Sequence, residues 1–232
     1  MKLLIRSLLI IGVYLCSNSS FAQKDTLRVL FVGNSYTYYS NLPKLVSDLS
    51  KDTSTFIQTR MSAIGGARLK YHYNQERSLK TKELIKNGNF DIVVLQEQSM
   101  GTLTNKEEFL LYSKKLSDYI KKHGAKPYFF TTWSREKIPQ TQNTIRKVYK
   151  EAALQNNGVV VLVGEAWKLA KKKQPSIKLY AEDGSHPTLL GTFLTAAVFV
   201  KTITGQLPSK IDNTRKLDLS SFEFCFQIAN QF

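Results

Sequence analysis

Three residues, one near the start of the chain and two near its end, have the types and order of a nucleophilic relay. Ser35 follows directly on the apolar run that opens "RVLFVGNSYTYYSNLP" (residues 28–43), where a strand must end and a helix begin. A hydroxyl at that place stands at the carboxyl edge of a sheet, near helix N–H groups that stabilise negative charge. The same place also suits a turn or helix-capping serine. Asp183 and His186 lie three apart in "DGSHPTLLGTFLTA" (183–196), a polar loop ahead of an apolar helix begun by Pro187. A serine nucleophile needs a base, and the base needs a group that holds its tautomer. Asp183 can do this for His186, although a histidine before proline at a helix start can also be only a cap. Taken together, in the chain order Ser, Asp, His, the three residues favour the nucleophilic reading. "GNS" is no phosphate loop, since no Gly-Lys-Ser/Thr follows. No dinucleotide fingerprint and no Cys/His cluster with metal-ligand spacing occurs, so neither cofactor nor metal is expected.

The elements that must hold these residues alternate along the chain. Strands are expected at 27–33, 55–63, 90–96, 127–133 and 159–164, the third a continuous apolar run of the kind a central parallel strand shows. Helices are expected at 42–50, 105–122, 140–156 and 188–204. The second would be opened by a Thr104/Glu107 capping box, the third closed by Asn157-Gly158 and the last stopped by Gly205. This order predicts one α/β domain, a three-layer sandwich with a mostly parallel five-stranded sheet. Ligands bind such sheets outside the carboxyl ends of the strands, where Ser35 falls.

Residues 1–22 read as a signal peptide rather than as part of the fold. Lys2 and Arg6 precede the short apolar run "LLIIGVYLC", and "SFA" supplies a small-x-small cleavage pattern ending at Ala22. The residues before Cys16 lack the small side chains of a lipid-attachment site. The domain then runs over 23–232, and an exported, periplasmic or extracellular protein is expected. Only Cys225 would remain, so no intrachain disulfide can form. No later apolar stretch has the roughly 20 residues of a membrane span. The formal charge is +15, with lysines scattered through "SKKL", "IKKHG" and "LAKKKQ". That pattern suits a solvated face, or attraction to an anionic glycan or surface, and not a nucleic-acid partner.

Across nearly the whole of residues 23–232 the chain resembles the SGNH, or GDSL-type, hydrolase superfamily. Gly33-Asn34-Ser35 is similar to its first block, with Asn where Gly-Asp-Ser is usual, as in one bacterial subgroup. Asp183-Gly184-Ser185-His186-Pro187 is similar to its last block. The resemblance implies a flavodoxin-like sandwich, with Ser35 and His186 as the catalytic pair and Asp183 orienting the imidazole. It implies an oxyanion hole of the Ser35 N–H, a glycine after the second strand and a side-chain donor after the third. Gly66 of "SAIGGARL" matches the glycine. The asparagine usual after the third strand is missing from "VVLQEQSMG", where Gln96 takes its place and Gln98 lies two residues on. Gln96-Glu97-Gln98-Ser99 is similar to a Gln-Gly-Glu-Ser block of acetylxylan and sialate-type esterases. Asn34, Glu97, Gln98, Trp133 and His72 are further candidates for a substrate pocket, whereas His123 suits a helix end. The activity implied is a serine esterase removing O-acetyl groups from carbohydrate, with a small-molecule or polysaccharide ester as partner. A lipid esterase or thioesterase of the same fold, or a silent glycan-binding protein, are the alternatives.

Overall fold

The computed structural model describes residues 24–209 and 218–232. The expected signal peptide lies outside the described residues. The chain runs β1 (Asp25–Gly33), α1 (Ser35–Tyr38), α2 (Leu42–Leu49), β2 (Thr55–Ala63), α3 (Leu69–Asn74), α4 (Thr81–Asn87) and β3 (Ile92–Leu95). It continues with α5 (Gly101–Thr104), α6 (Lys106–Lys122), β4 (Lys126–Phe130), α7 (Gln142–Gln155), β5 (Val159–Val161), α8 (Val163–Lys173), α9 (Leu189–Thr204) and α10 (Leu219–Ala229). All strand pairings are parallel and the order is β2-β1-β3-β4-β5, so β1 is flanked on both sides.

The alternation of side chains along β1 sorts its apolar residues into two cores. Val29 and Phe31 belong to the core that residues of α2, α8, α9 and α10 complete, while Leu30 and Val32 belong to the one that residues of α3, α4, α6 and α7 complete. All four are fully buried, each adding roughly 1.5–3 kcal/mol of transfer free energy. Both faces are covered, which is why the strands read as continuous apolar runs. Helix α9 is apolar on all sides because it lies between the sheet and its neighbours α2, α8 and α10. Cys225 of α10 is buried in the same core, where burial pushes its thiol up to about 12. Among the described residues no helix is long and apolar enough to cross a membrane.

Several local expectations are corrected. The Thr104/Glu107 capping box does not form: the Thr104 hydroxyl donates to the Met100 carbonyl, and Asn105 precedes α6 without a side-chain cap. Helix α9 starts at Leu189, with Thr188 as its cap accepting from the Gly191 N–H at 3.1 Å. Pro187 lies outside the helix, in a bridge to Tyr180. Strand β5 stops at Val161, and Val163-Gly164 opens α8, an element not expected from periodicity. Strand β3 ends at Leu95, which puts Gln96 on the first turn past the sheet.

Candidate active site

The sheet ends at Gly33 because the next residue caps a helix. The Asn34 side-chain oxygen accepts from the Tyr36 N–H at 3.2 Å, and its amide nitrogen donates to the Ala67 carbonyl at 2.9 Å. Asn34 therefore ties the Ser35 turn to the Gly66 turn, and this is work an acceptor-only carboxylate could not do. Gly33 leaves no room for a side chain. A Cβ there would stand 2.3 Å from Thr37 Oγ1 and 2.4 Å from Gln96 Oε1. Ser35 thus becomes the first residue of α1, with its hydroxyl at the carboxyl edge of the sheet.

His186 reaches the same place from the loop before α9, 151 residues later. Asp183 Oδ1 accepts from the Ser185 and His186 backbone N–H groups, each at 2.9 Å. Asp183 Oδ2 accepts from His186 Nδ1 at 2.5 Å, and His186 Nε2 lies 2.9 Å from Ser35 Oγ. With the proton on Nδ1, the Nε2 lone pair faces the serine hydroxyl. The hydrogen bond to His186 is the main cause holding the Asp183 carboxyl down at about 2. Tyr39 stacks on the imidazole at 4.7 Å and Tyr36 meets it edge-on at 5.7 Å. A hydroxyl, an imidazole and a carboxylate in this series can deliver an alkoxide to an acyl carbon.

Beside Ser35 is a cleft of 210 Å³ whose walls include Gly66, Gln98, Arg135 and His186. Gly66 has φ +68°, the left-handed conformation that favours glycine, and it turns the chain back toward Ser35. Among the described residues, neither the Ser35 nor the Gly66 N–H has a hydrogen-bond partner, so both can serve an anion.

The structure brings Ser35, Asp183, His186, Gly66, Gln98 and Asn34 together, and it places four other candidates elsewhere. Gln96 is a correction. It is fully buried, its oxygen accepts from the Asn34 N–H and the Thr37 hydroxyl, both at 2.9 Å, and its nitrogen donates to the Glu97 carbonyl. It braces the turn and does not face the cleft. Glu97 is also buried. Its two oxygens accept from the Leu69 and Gln98 N–H groups at 3.1 and 2.8 Å. His72 is not a pocket residue. It is buried under the sheet end, with Nε2 donating to the Gly33 carbonyl at 2.9 Å and Nδ1 accepting from Thr81 at 2.7 Å. Burial lowers its pKa to about 4.

Trp133 is buried in a stack between Tyr36 and Trp167, at 4.6 and 3.9 Å. Its indole N–H donates to the Ser185 carbonyl at 2.9 Å and so anchors the histidine loop. It borders a separate recess of 320 Å³ that contains neither Ser35 nor His186. His123 lies at the end of α6, as expected, on the Tyr119 carbonyl. Sequence reasoning missed Arg135, Tyr36, Tyr39 and Ser185. Arg135 carried a signal, five residues past the end of β4, at the sheet edge where ligands bind. Tyr36 and Ser185 are joined hydroxyl to hydroxyl at 2.6 Å.

Burial raises the Glu97 carboxyl from 4.5 to about 7. Between these values the folded chain keeps a proton that the unfolded chain has released, so this group lowers stability as pH rises through that window. Glu97→Gln is expected to abolish this slope. The melting temperature of the variant, measured relative to wild type from pH 4.5 to 7, should therefore climb. His72 contributes the opposite slope below pH 6.5 in both proteins and cancels in the difference. A difference that stays flat or falls counts against a buried, neutralised Glu97.

No family model matches the chain, and no curated protein matches it. Among solved structures it is similar to a protein of Slackia heliotrinireducens assigned to the SGNH hydrolases. That match has 27% identity over 77% of this chain and 100% of that chain, with a TM-score of 0.67. A DUF4886 family protein from Bacteroides uniformis is similar at 16% identity, over 89% of this chain and 94% of that one, with a TM-score of 0.77. The acetyl xylan esterase AlAXEase is similar at 16% identity, over 76% and 100%, with a TM-score of 0.64. With its five parallel strands between two helical layers and these likenesses, the chain has a fold of the SGNH-hydrolase type.

Proposed function

We propose that this protein is an exported serine esterase that removes short acyl groups, acetyl foremost, from carbohydrate. The observation that carries the reading is the Ser35–His186–Asp183 series, at 2.9 and 2.5 Å, opening on a cleft beside two unengaged N–H groups. In the reaction, His186 Nε2 takes the Ser35 proton as Oγ bonds to the ester carbonyl carbon. The carbonyl oxygen becomes an oxyanion, held by the Ser35 and Gly66 N–H groups. Collapse breaks the bond to the alcohol oxygen, which leaves with the proton from His186. Water, deprotonated by the same imidazole, then attacks the acyl carbon; the bond to Ser35 Oγ breaks, the carboxylic acid leaves, and Oγ takes the proton back from His186. Asp183 remains ionised throughout, as its lowered pKa favours, and stabilises the imidazolium without taking its proton.

Gln98 replaces Gln96 as the side-chain donor in this scheme. It lines the cleft, and one hydrogen of its amide nitrogen is used on Ser99 Oγ at 3.2 Å, which leaves the other for the oxyanion. Two observations support the substrate class. The cleft is smaller than the roughly 300–1,000 Å³ typical of larger ligand pockets, which favours a short acyl group over a lipid chain. One similar structure is an acetyl xylan esterase. Export is supported by the basic, apolar and small-x-small order of residues 1–22.

The test is hydrolysis of nitrophenyl esters from acetyl to dodecanoyl and of an acetylated xylan, with a fluorophosphonate as covalent probe. Acetyl release and a single adduct on Ser35 are expected. Preference for the long chains would favour the lipid esterase or thioesterase reading. Glycan binding with neither hydrolysis nor adduct would favour a silent module.

A further inference from the structure

Arg135 follows β4 and reaches the cleft wall beside Ser35 and His186. It is the one permanently charged side chain among the residues lining that cleft. Its Nη2 donates to the neutral Ser99 hydroxyl at 3.0 Å, and no carboxylate pairs with it among the described residues. Asp183, the acid nearest the reaction, has its oxygens committed to His186 and to two backbone N–H groups. Two other arginines show the contrast, each with a carboxylate partner. Arg68 and Lys70 share Glu108 at 3.1 Å each, and Arg146 lies 3.9 Å from Glu165. The guanidinium at the reaction site is therefore held by one neutral contact, with its remaining donors open.

A guanidinium presents five N–H donors in a planar fork that matches a carboxylate in two parallel hydrogen bonds. Beside His186, Tyr39 is 41% exposed and lies on the imidazole face, and Tyr38, 38% exposed, stacks on Tyr39 at 6.5 Å. Exposed aromatic rings of this kind offer an apolar face to a sugar ring, while the net positive charge, +15 less Lys2 and Arg6 of the expected signal peptide, draws a polyanion toward the surface. We infer that Arg135 is the specificity-determining residue of this site and selects esters whose alcohol is an acidic sugar, its carboxylate seated on the guanidinium. The inference rests on the esterase reading above and names the substrate class within it.

The test uses two matched substrates, a mono-O-acetyl methyl glucoside and the corresponding glucuronoside, which differ only in a hydroxymethyl against a carboxylate. The readout is the ratio of their kcat/KM values. Wild type should favour the glucuronoside by about tenfold, as a charge-assisted pair in a partly exposed cleft allows. Arg135→Gln should bring the ratio near one. Arg135→Lys should leave it intermediate, because an ammonium keeps the charge and loses the fork. Lys137→Gln, which removes the same charge from an exposed neighbour, should keep the wild-type ratio. An equal ratio in wild type, or an equal collapse in Lys137→Gln, would overturn the role of Arg135 while leaving the esterase reading standing. Hydrolysis of neither substrate, with no adduct on Ser35, would remove the esterase reading and this inference with it.

Discussion

Ser35→Ala is expected to lower ester hydrolysis by on the order of 10³-fold or more, and His186→Ala by nearly as much. The two groups form one device, joined at 2.9 Å, so the double variant should lose little beyond either single one. That non-additivity separates a nucleophile–base pair from two independent binding contacts, whose losses would multiply. Asp183→Asn should cost less than His186→Ala. Its remaining carbonyl oxygen can still accept from the Ser185 and His186 N–H groups, so the loop keeps its shape while the imidazole loses its partner. The measurements are initial rates on an acetyl ester and the mass of the fluorophosphonate adduct for each variant. Wild-type turnover in Ser35→Ala would exclude the nucleophile, whatever the fold.

The second large effect separates two glutamines that lie two residues apart. Gln98→Ala is expected to lower kcat by roughly 10²–10³-fold, as loss of an oxyanion donor does, with KM nearly unchanged. Its melting temperature should stay close to that of wild type, since Gln98 is only partly buried on the cleft wall. Gln96→Ala should act the other way round. It strands the buried Asn34 N–H and removes the brace between β1, α1 and the turn after β3, a loss of about 1–3 kcal/mol of stability. Any fall in its rate should follow from a displaced Ser35 and appear together with the lowered melting point. A stable Gln96→Ala protein with a purely kinetic defect would return the oxyanion role to Gln96.

Much of this architecture was legible in the sequence. The runs 27–33 and 90–96 carry enough β-branched and apolar residues in a row that only a doubly covered parallel strand explains them. Boundaries were less legible, because hydrogen-bond geometry and not hydropathy ends a strand. The run "VVVLVG" crosses from β5 into α8 without any change in apolar character. Helices α3 and α4 are too short for their periodicity to stand out, and α10 mixes apolar and polar residues without a clear stripe.

For the site, residue type and chain order were enough to single out Ser35, Asp183 and His186, because the chemistry of each is written in its own side chain and its local turn. Asp183 and His186 are three residues apart, so their contact is a local matter the sequence can carry. What Gln96, Glu97, His72 and Trp133 do depends on contacts with residues about 30 to 60 positions away, and spacing says nothing about which way such a side chain turns. The fold sends Gln96 back to the Asn34 N–H, Glu97 under the Leu69 turn, His72 to the Gly33 carbonyl and Trp133 beneath the histidine loop. It also leaves Arg135 open at the cleft. A charge run read from sequence cannot reveal such a feature, since whether a cation is paired is decided only when distant carboxylates have taken their places.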